Sequence, residues 1–345
     1  MTTADRRPRD VRDPCRGVSV PSRRALCAAA AGLVLPLALA APARADNYPS
    51  KPVTLVVAFP PGGMTDIVGR LLANGLTKSL GQTVIVENRA GAAGQLATEY
   101  VAGKPGDGYT LLESSVGYVI APALQKKIRY DPAKDFAPIA LLATTPNLLV
   151  VNPSVPARTV AEFIAWAKAQ PSVPFSTSGA GGATHLTGEL LRHLSGAPLN
   201  HVPYKGAAPA AQAVLAGEVP VSVLDAVSGA ALVASGKLRA LAVTTAQRSA
   251  LFPNLPTLAE SGFRDFDSYT WLGLYAPAGT PQAVVDRLNR DINQILRSPE
   301  VAARLREQNA EAGGAMTPAQ FRKHVDSELV KWQRTVQVTG VKVDE

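Results

Sequence analysis

Apolar positions along this chain alternate between two rhythms. Short continuous apolar runs give way to longer segments with apolar residues every three or four positions, the signature of strands followed by amphipathic helices. The run 53–59 leads to a predicted helix over 66–80, with Ile67, Leu71, Leu72 and Leu76 on one face and Gly81 just past its end. A strand at 83–86, a helix over 94–102 and a strand at 109–113 follow, with Lys104-Pro105-Gly106-Asp107-Gly108 as a turn between the last two. Two extended runs, 139–143 and 148–151, precede a fresh unit. There Thr159 and Glu162 have capping-box spacing at the start of a helix to Gln170, and 173–177 is a strand. A helix ending near Ser195 comes next, then a strand at 200–203, a helix at 208–216, a strand at 219–224, a helix at 226–235 and a strand at 238–243. The last part holds a strand at 269–275 and three helices at 281–297, 299–309 and 317–336, the first with Thr280 as its expected cap and Pro281 in its first turn. This alternation predicts an α/β protein with parallel sheets flanked by helices.

Two junctions stand out. The first strand runs into Phe59-Pro60-Pro61-Gly62-Gly63-Met64-Thr65-Asp66, and a later one into Ser178-Gly179-Ala180-Gly181-Gly182-Ala183-Thr184-His185. A helix start leaves backbone N–H groups without internal partners and carries the positive end of the dipole, so it seats an anion. Neither turn has the lysine or glycine spacing of a phosphate loop. An uncharged nest of this kind suits a carboxylate better than a polyphosphate. A single such turn reads first as a tight strand–helix connection, whereas two in an exported chain shift the balance toward binding. Asp66 reads as a helix cap, with a second role in ordering a ligand-facing group left open.

Residues 1–45 read as an export signal: arginines up to Ser22-Arg23-Arg24, an apolar stretch from Ala25 to Leu39, and a small-residue cleavage site at Ala43-Arg44-Ala45. The paired arginines leave both the general secretory and the twin-arginine routes open. Both cysteines, Cys15 and Cys27, lie in this segment, so the mature protein is expected to hold no disulfide and no cysteine metal site. The whole chain has 35 basic and 27 acidic residues. The signal contains eight of the former and three of the latter, which leaves 27 basic against 24 acidic side chains. The alkaline pI thus belongs mainly to the signal, and nucleic-acid binding loses its support.

The chain resembles the Bug-type receptors of tripartite tricarboxylate transporters, a family of bacterial extracytoplasmic solute-binding proteins. The resemblance runs from Tyr48-Pro49 to the C-terminal helix. It is carried by Phe59-Pro60-Pro61-Gly62-Gly63 with Thr65-Asp66, by Glu87-Asn88-Arg89 with Gly91-Ala92-Ala93-Gly94, by Asp107-Gly108-Tyr109-Thr110, by His201-Val202-Pro203-Tyr204-Lys205-Gly206, and by Ala276-Pro277-Ala278-Gly279-Thr280-Pro281. It implies a two-domain periplasmic-binding-protein fold, type II-like, in which each lobe is a sheet flanked by helices and the ligand cleft lies between them. Lobe 1 would be 46–148 plus 268–345, and lobe 2 would be 149–267. The resemblance also implies that a ligand carboxylate is held between the loop of Phe59, Pro60, Pro61, Gly62, Gly63, Thr65 and Asp66 and the loop of Ser178, Gly179, Gly181, Thr184 and His185. Ser114, Ser115, Gly117 and Asp225 would line the cleft. Met64 stands where the family has a small residue, which points to a narrower or more apolar floor.

The function so implied is a periplasmic receptor that delivers a small organic carboxylate to membrane transporter subunits, as a monomer, without cofactor or metal and without catalysis. A signalling receptor is the alternative, because a closed receptor could dock on either partner. A secreted hydrolase using Ser178, His185 and Asp225 is the weaker alternative: they form a triad only on paper, since Gly-x-Ser-x-Gly is absent. His193 and His201 lack metal-ligand spacing and read as structural. Trp166, Trp271 and Trp332 read as packing residues, and Lys205 as an exposed turn residue.

Overall fold

The computed structural model describes residues 48–125 and 128–342. The predicted export signal lies outside them. β1 (Val53–Val57), β2 (Val84–Asn88) and β3 (Thr110–Ser115) pair in parallel, β1 in the middle, with α1 (Met64–Leu80) and α2 (Gln95–Ala102) as the connecting helices. β5 (Val173–Thr177), β6 (Leu199–Pro203) and β7 (Val221–Asp225) repeat this arrangement around β5, connected by α5 (Ala183–Ser195) and α6 (Ala207–Ala216).

The two parallel groups are joined by antiparallel strands, which departs from the purely parallel expectation. β4 (Phe136–Val151) is one strand of 16 residues where two separate runs were expected. β9 (Tyr269–Pro277) pairs antiparallel with β3 on one side and with Phe136–Pro146 of β4 on the other. From Asn147 onward β4 pairs instead with β7 and with β8 (Arg239–Val243). β4 therefore changes neighbours between Pro146 and Asn147. A proline inside a strand is tolerated where a ladder hydrogen bond is not required of it, and here it marks the exchange.

Four buried apolar clusters cover the sheet. Leu55, Leu72, Leu76, Leu288 and Ile292 form one under α1 and α8 (Gln282–Leu296). Val56, Tyr118, Trp271, Tyr275, Phe321 and Trp332 form another under α3 (Gly117–Leu124) and α10 (Pro318–Thr339). Phe163, Phe175 and Leu191 centre a third with α4 (Val160–Lys168), and Leu148, Val214 and Leu224 a fourth with α6 and α7 (Ala226–Ala234). Leu186 of α5 belongs to the Trp271 cluster while Leu191 belongs to the Phe163 cluster, so this helix packs on both groups of strands. Trp271 and Trp332 are fully buried, as expected of packing residues.

Side-chain caps close several helix starts. Thr159 accepts the Glu162 amide at the start of α4, and Thr317 forms a full capping box with Gln320 on α10. Ser298 caps α9 (Pro299–Glu307). Thr280 does not cap α8: its hydroxyl donates to the Pro277 carbonyl at 2.8 Å, and Pro281 occupies the cap position.

Candidate functional site

Both glycine junctions fold as strand, turn and helix. After β1 the chain passes through Pro60 and Pro61, and Gly62 takes φ +86°, a backbone state that side chains with a Cβ rarely adopt. α1 then begins behind Gly63, whose cap position has no side chain to occupy the first-turn N–H groups. Those donors face outward from the helix end.

Asp66 is not the cap of this helix, contrary to its sequence reading. It sits in the first turn, buried, and its carboxylate reaches back to accept the Gly62 amide at 3.0 Å. Arg70 Nε donates to the same oxygen at 2.9 Å, and Asn88 Nδ2 donates to the other at 2.9 Å. Asn88 Nδ2 also donates to the Phe59 carbonyl at 3.1 Å, so β2 and α1 together fix the turn. These donors, the Arg70 guanidinium first among them, hold the Asp66 carboxyl down at about 2. The Gly62 amide is therefore engaged, and the first-turn N–H groups of α1 are the donors this turn offers.

The second turn is braced differently. Gly182 is the N-cap of α5, again with no side-chain cap, and Gly181 has φ +75°. The Gly181 amide donates to His185 Nδ1 at 3.0 Å, which requires that nitrogen to be unprotonated. The His185 ring stacks on His201 at 3.6 Å, and His201 Nε2 lies 2.6 Å from Thr177 Oγ1. Burial pushes both imidazoles down, His185 to about 3 and His201 to about 4. His185 is thus a buried neutral strut behind the loop. Ser178 Oγ meets Thr184 Oγ1 at 3.2 Å, while Asp225 caps α7 by accepting the Ser228 amide, so the paper triad is not assembled.

The two turns open onto two cavities that share a wall. The first, about 400 Å³, is lined by Phe59, Ser115, Gly117, Ser178, Gly179, Gly181, Thr184 and Asp225 from the sequence-derived set. The second, about 390 Å³, is lined by Phe59, Gly62, Gly63, Thr65, Ser115 and Asp225. Phe59, Ser115, Asp225 and Thr270 belong to both. The loop at 178–184 lines the first cavity and the loop at 62–65 the second, with the shared wall between them. Pro60, Pro61, Asp66, Ser114 and His185 line neither cavity. Ser114 and His185 are buried behind the walls, and the two prolines are exposed. Met64 also lines the second cavity.

Several polar lining residues escaped the sequence reading. Gln95 and Gln125 face the first cavity; Thr145, Ser228 and Gln308 face the second. Gln95 had a signal, since it opens α2 directly after the Gly91–Gly94 turn, a third glycine junction. Thr145, Thr270 and Gln308 had none, because no local motif marks them. Among the described residues, Asp225 is the ionisable side chain lining these two cavities, and no group of three potential metal ligands occurs. Burial raises the Asp225 carboxyl above its ordinary value. The remaining chemistry is hydroxyls, carboxamides and main-chain amides. A hollow of about 740 Å³ between α1, α8 and α9 holds none of the glycine-turn residues.

Comparison with known proteins places the chain in a family. The profile of the tripartite tricarboxylate transporter family receptor matches residues 68–341. Protein BugT of Bordetella pertussis is 39% identical over 308 residues, 88% of this chain and 94% of its own. An R. palustris protein solved with adipate superposes with a TM-score of 0.76 at 36% identity, covering 86% of this chain and 99% of that one. MatC from Rhodopseudomonas palustris, with bound malate, gives a TM-score of 0.73 at 33% identity, covering 84% and 100%. This chain, with its two uncapped helix starts around a divided cleft, belongs to the tripartite tricarboxylate transporter receptor family.

Proposed function

We propose that this chain is a periplasmic solute-binding protein that captures a small organic carboxylate in the divided cleft and hands it to membrane transporter subunits. The observation that carries the reading is the pair of glycine-capped helix starts, Gly63 and Gly182, on cavities sharing Phe59, Ser115, Asp225 and Thr270. Each offers N–H donors and a dipole end to an anion. A hydrogen bond to a charged group contributes about 1.5–3 kcal/mol, so three or four of them approach the roughly 8 kcal/mol of a micromolar complex. Loss of ligand freedom offsets part of this, which exclusion of water on closure would restore. The adipate and malate held by two relatives have the same acid chemistry.

Two lobes, 46–148 with 268–345 and 149–267, fit the exchange of β4 neighbours at Pro146–Asn147 and the start of β9 at Tyr269. Closure would then turn on these two crossings. Among the described residues no helix is long and apolar enough to cross a membrane, and delivery is assigned to separate membrane subunits.

A thermal-shift series over mono-, di- and tricarboxylates, including adipate and malate, tests the proposal. A binder at a hundred times its dissociation constant adds about 2.7 kcal/mol to stability, which raises the melting temperature by several degrees. A protein whose melting is unmoved by every acid in the series would contradict the reading.

A further inference from the structure

Two observations meet at the wall common to both cavities. Asp225 ends β7 there; its Oδ1 accepts the Ser228 amide at 2.9 Å, and its side chain lines the first cavity and the second. Directly opposite it on β4 is Asn147, completely buried. Opposed residues of an antiparallel pair project to the same face, with Cβ atoms roughly 4.5–5.5 Å apart. Asn147 Oδ1 accepts from Thr270 Oγ1 at 3.1 Å, but its Nδ2 has no hydrogen-bond partner. An unsatisfied donor at full burial is costly and calls for an occupant or a task.

A carboxylate facing an anion site repels a plain acid, unless the guest meets it with a donor. We propose that Asp225, backed by Asn147, reads a hydroxyl or ammonium group on the carboxylate guest, so that the receptor prefers a hydroxy- or amino-carboxylate to the same acid lacking that group. This rests on the carboxylate reading above and adds the selectivity to it. The guest's carboxylate takes the N–H donors of a helix start, α1 or α5, and its donor group turns toward Asp225 between them. Asn147 is a positioning residue: its free Nδ2 is placed to hold the Asp225 carboxylate once that group swings to the guest. Burial raises the Asp225 carboxyl, and an ammonium partner offsets the cost of keeping it charged.

Calorimetry on the purified chain with matched acids decides this. The sets are succinate, malate and aspartate; glutarate, 2-hydroxyglutarate and glutamate; and 3-phenylpropionate, phenyllactate and phenylalanine. In at least one set the wild type is expected to favour a substituted member about tenfold, the factor that 1.4 kcal/mol carries. Asp225→Ser keeps a capping oxygen for α7 but withdraws the carboxylate, and is expected to bring the set within about twofold while the unsubstituted acid binds as well or better. Asn147→Ala is expected to lower the same ratio without weakening the unsubstituted acid. If it weakened every acid alike, Asn147 would be structural and its part in the proposal overturned. Acids bound without discrimination, or a ratio untouched by Asp225→Ser in a variant that melts normally, would overturn the selectivity and leave the carboxylate reading standing. No binding by any of the nine acids would overturn both.

Discussion

Asp66 Oδ2 accepts the main-chain amide of Gly62 at 3.0 Å, so a side chain inside the first turn of α1 locks the glycine turn that precedes it. Because Asn88 and Arg70 bind the same carboxylate, the turn is held in shape before any ligand arrives. Asp66→Ala is expected to lower stability by about 1–2 kcal/mol, with the exposed Arg70 contributing little of it. The carboxyl stands at about 2 in the folded chain against an ordinary 3.8. A depressed acid stabilises the fold above its unfolded value and loses that contribution as pH falls from 3.8 toward 2. Urea titrations of wild type and variant across this window check both statements: the gap between them should close at the acid end.

His185 and His201 give the weakly acidic range its slope. Both are held neutral, at about 3 and about 4, so the unfolded chain binds more protons than the folded one below 6.5. Stability is complete above 6.5 and declines as pH falls toward those values. His185→Asn keeps an acceptor near the Gly181 amide and removes one of the two groups. The variant should show a distinctly shallower loss of urea stability between about pH 6.5 and pH 4.5 than the wild type.

Glu113 is a fully buried acid on β3: neither carboxyl oxygen has a hydrogen-bond partner, and a Cβ on Gly69 of α1 would lie only 2.5 Å from Oε2. Burial, with Asp66 nearby, raises its carboxyl well above the ordinary range. A raised acid favours the fold below its unfolded value and opposes it as pH rises. Glu113→Leu is accordingly expected to stabilise the protein at pH 7 by about 1–3 kcal/mol, read as a higher urea midpoint. An unchanged or lower midpoint would show that the acid has an unseen partner.

Glu328 on α10 accepts from two indoles at once, Trp271 Nε1 at 2.9 Å and Trp332 Nε1 at 3.1 Å, and it pairs with Lys331. Trp271 belongs to β9, so this one carboxylate fastens the C-terminal helix to the sheet. Glu328→Ala strands both N–H groups in the core and should cost about 3 kcal/mol. Near-ultraviolet circular dichroism should lose its tryptophan signal at lower urea than in the wild type.

Sequence patterning located most elements because each carries its own punctuation. Val173–Thr177 is a strand with the expected bounds, and Gly196 stops α5 in the left-handed state expected of a terminating glycine. Helix α3 was missed, since Gly117–Leu124 contains Pro122 and its apolar residues show no polar face to give it a period. The two runs of β4 were separated by Pro146, and only their pairing with β9, β7 and β8 makes them one strand. The site divided along the same line. The glycine turns were legible because a helix start after consecutive glycines has a chemistry of its own. Thr145 and Thr270 reach the cavities through strand pairing across more than a hundred residues, and Gln308 arrives from the end of α9, which no local pattern encodes.

The alternation of β4 from Leu148 to Val151 imposes a parity rule on that stretch. Inserting a single residue between Pro146 and Asn147 would leave Phe136–Thr145 facing as before, yet turn every side chain from Leu148 to Val151 to the wrong side of its sheet. Leu149 and Val151 would then trade places with Leu148 and Val150, exchanging the members of two separate cores in one stroke. A single added residue at this junction is therefore tolerable only where a bulge absorbs it, as β4 does elsewhere along its length, and a hybrid receptor spliced here must keep its parents' register.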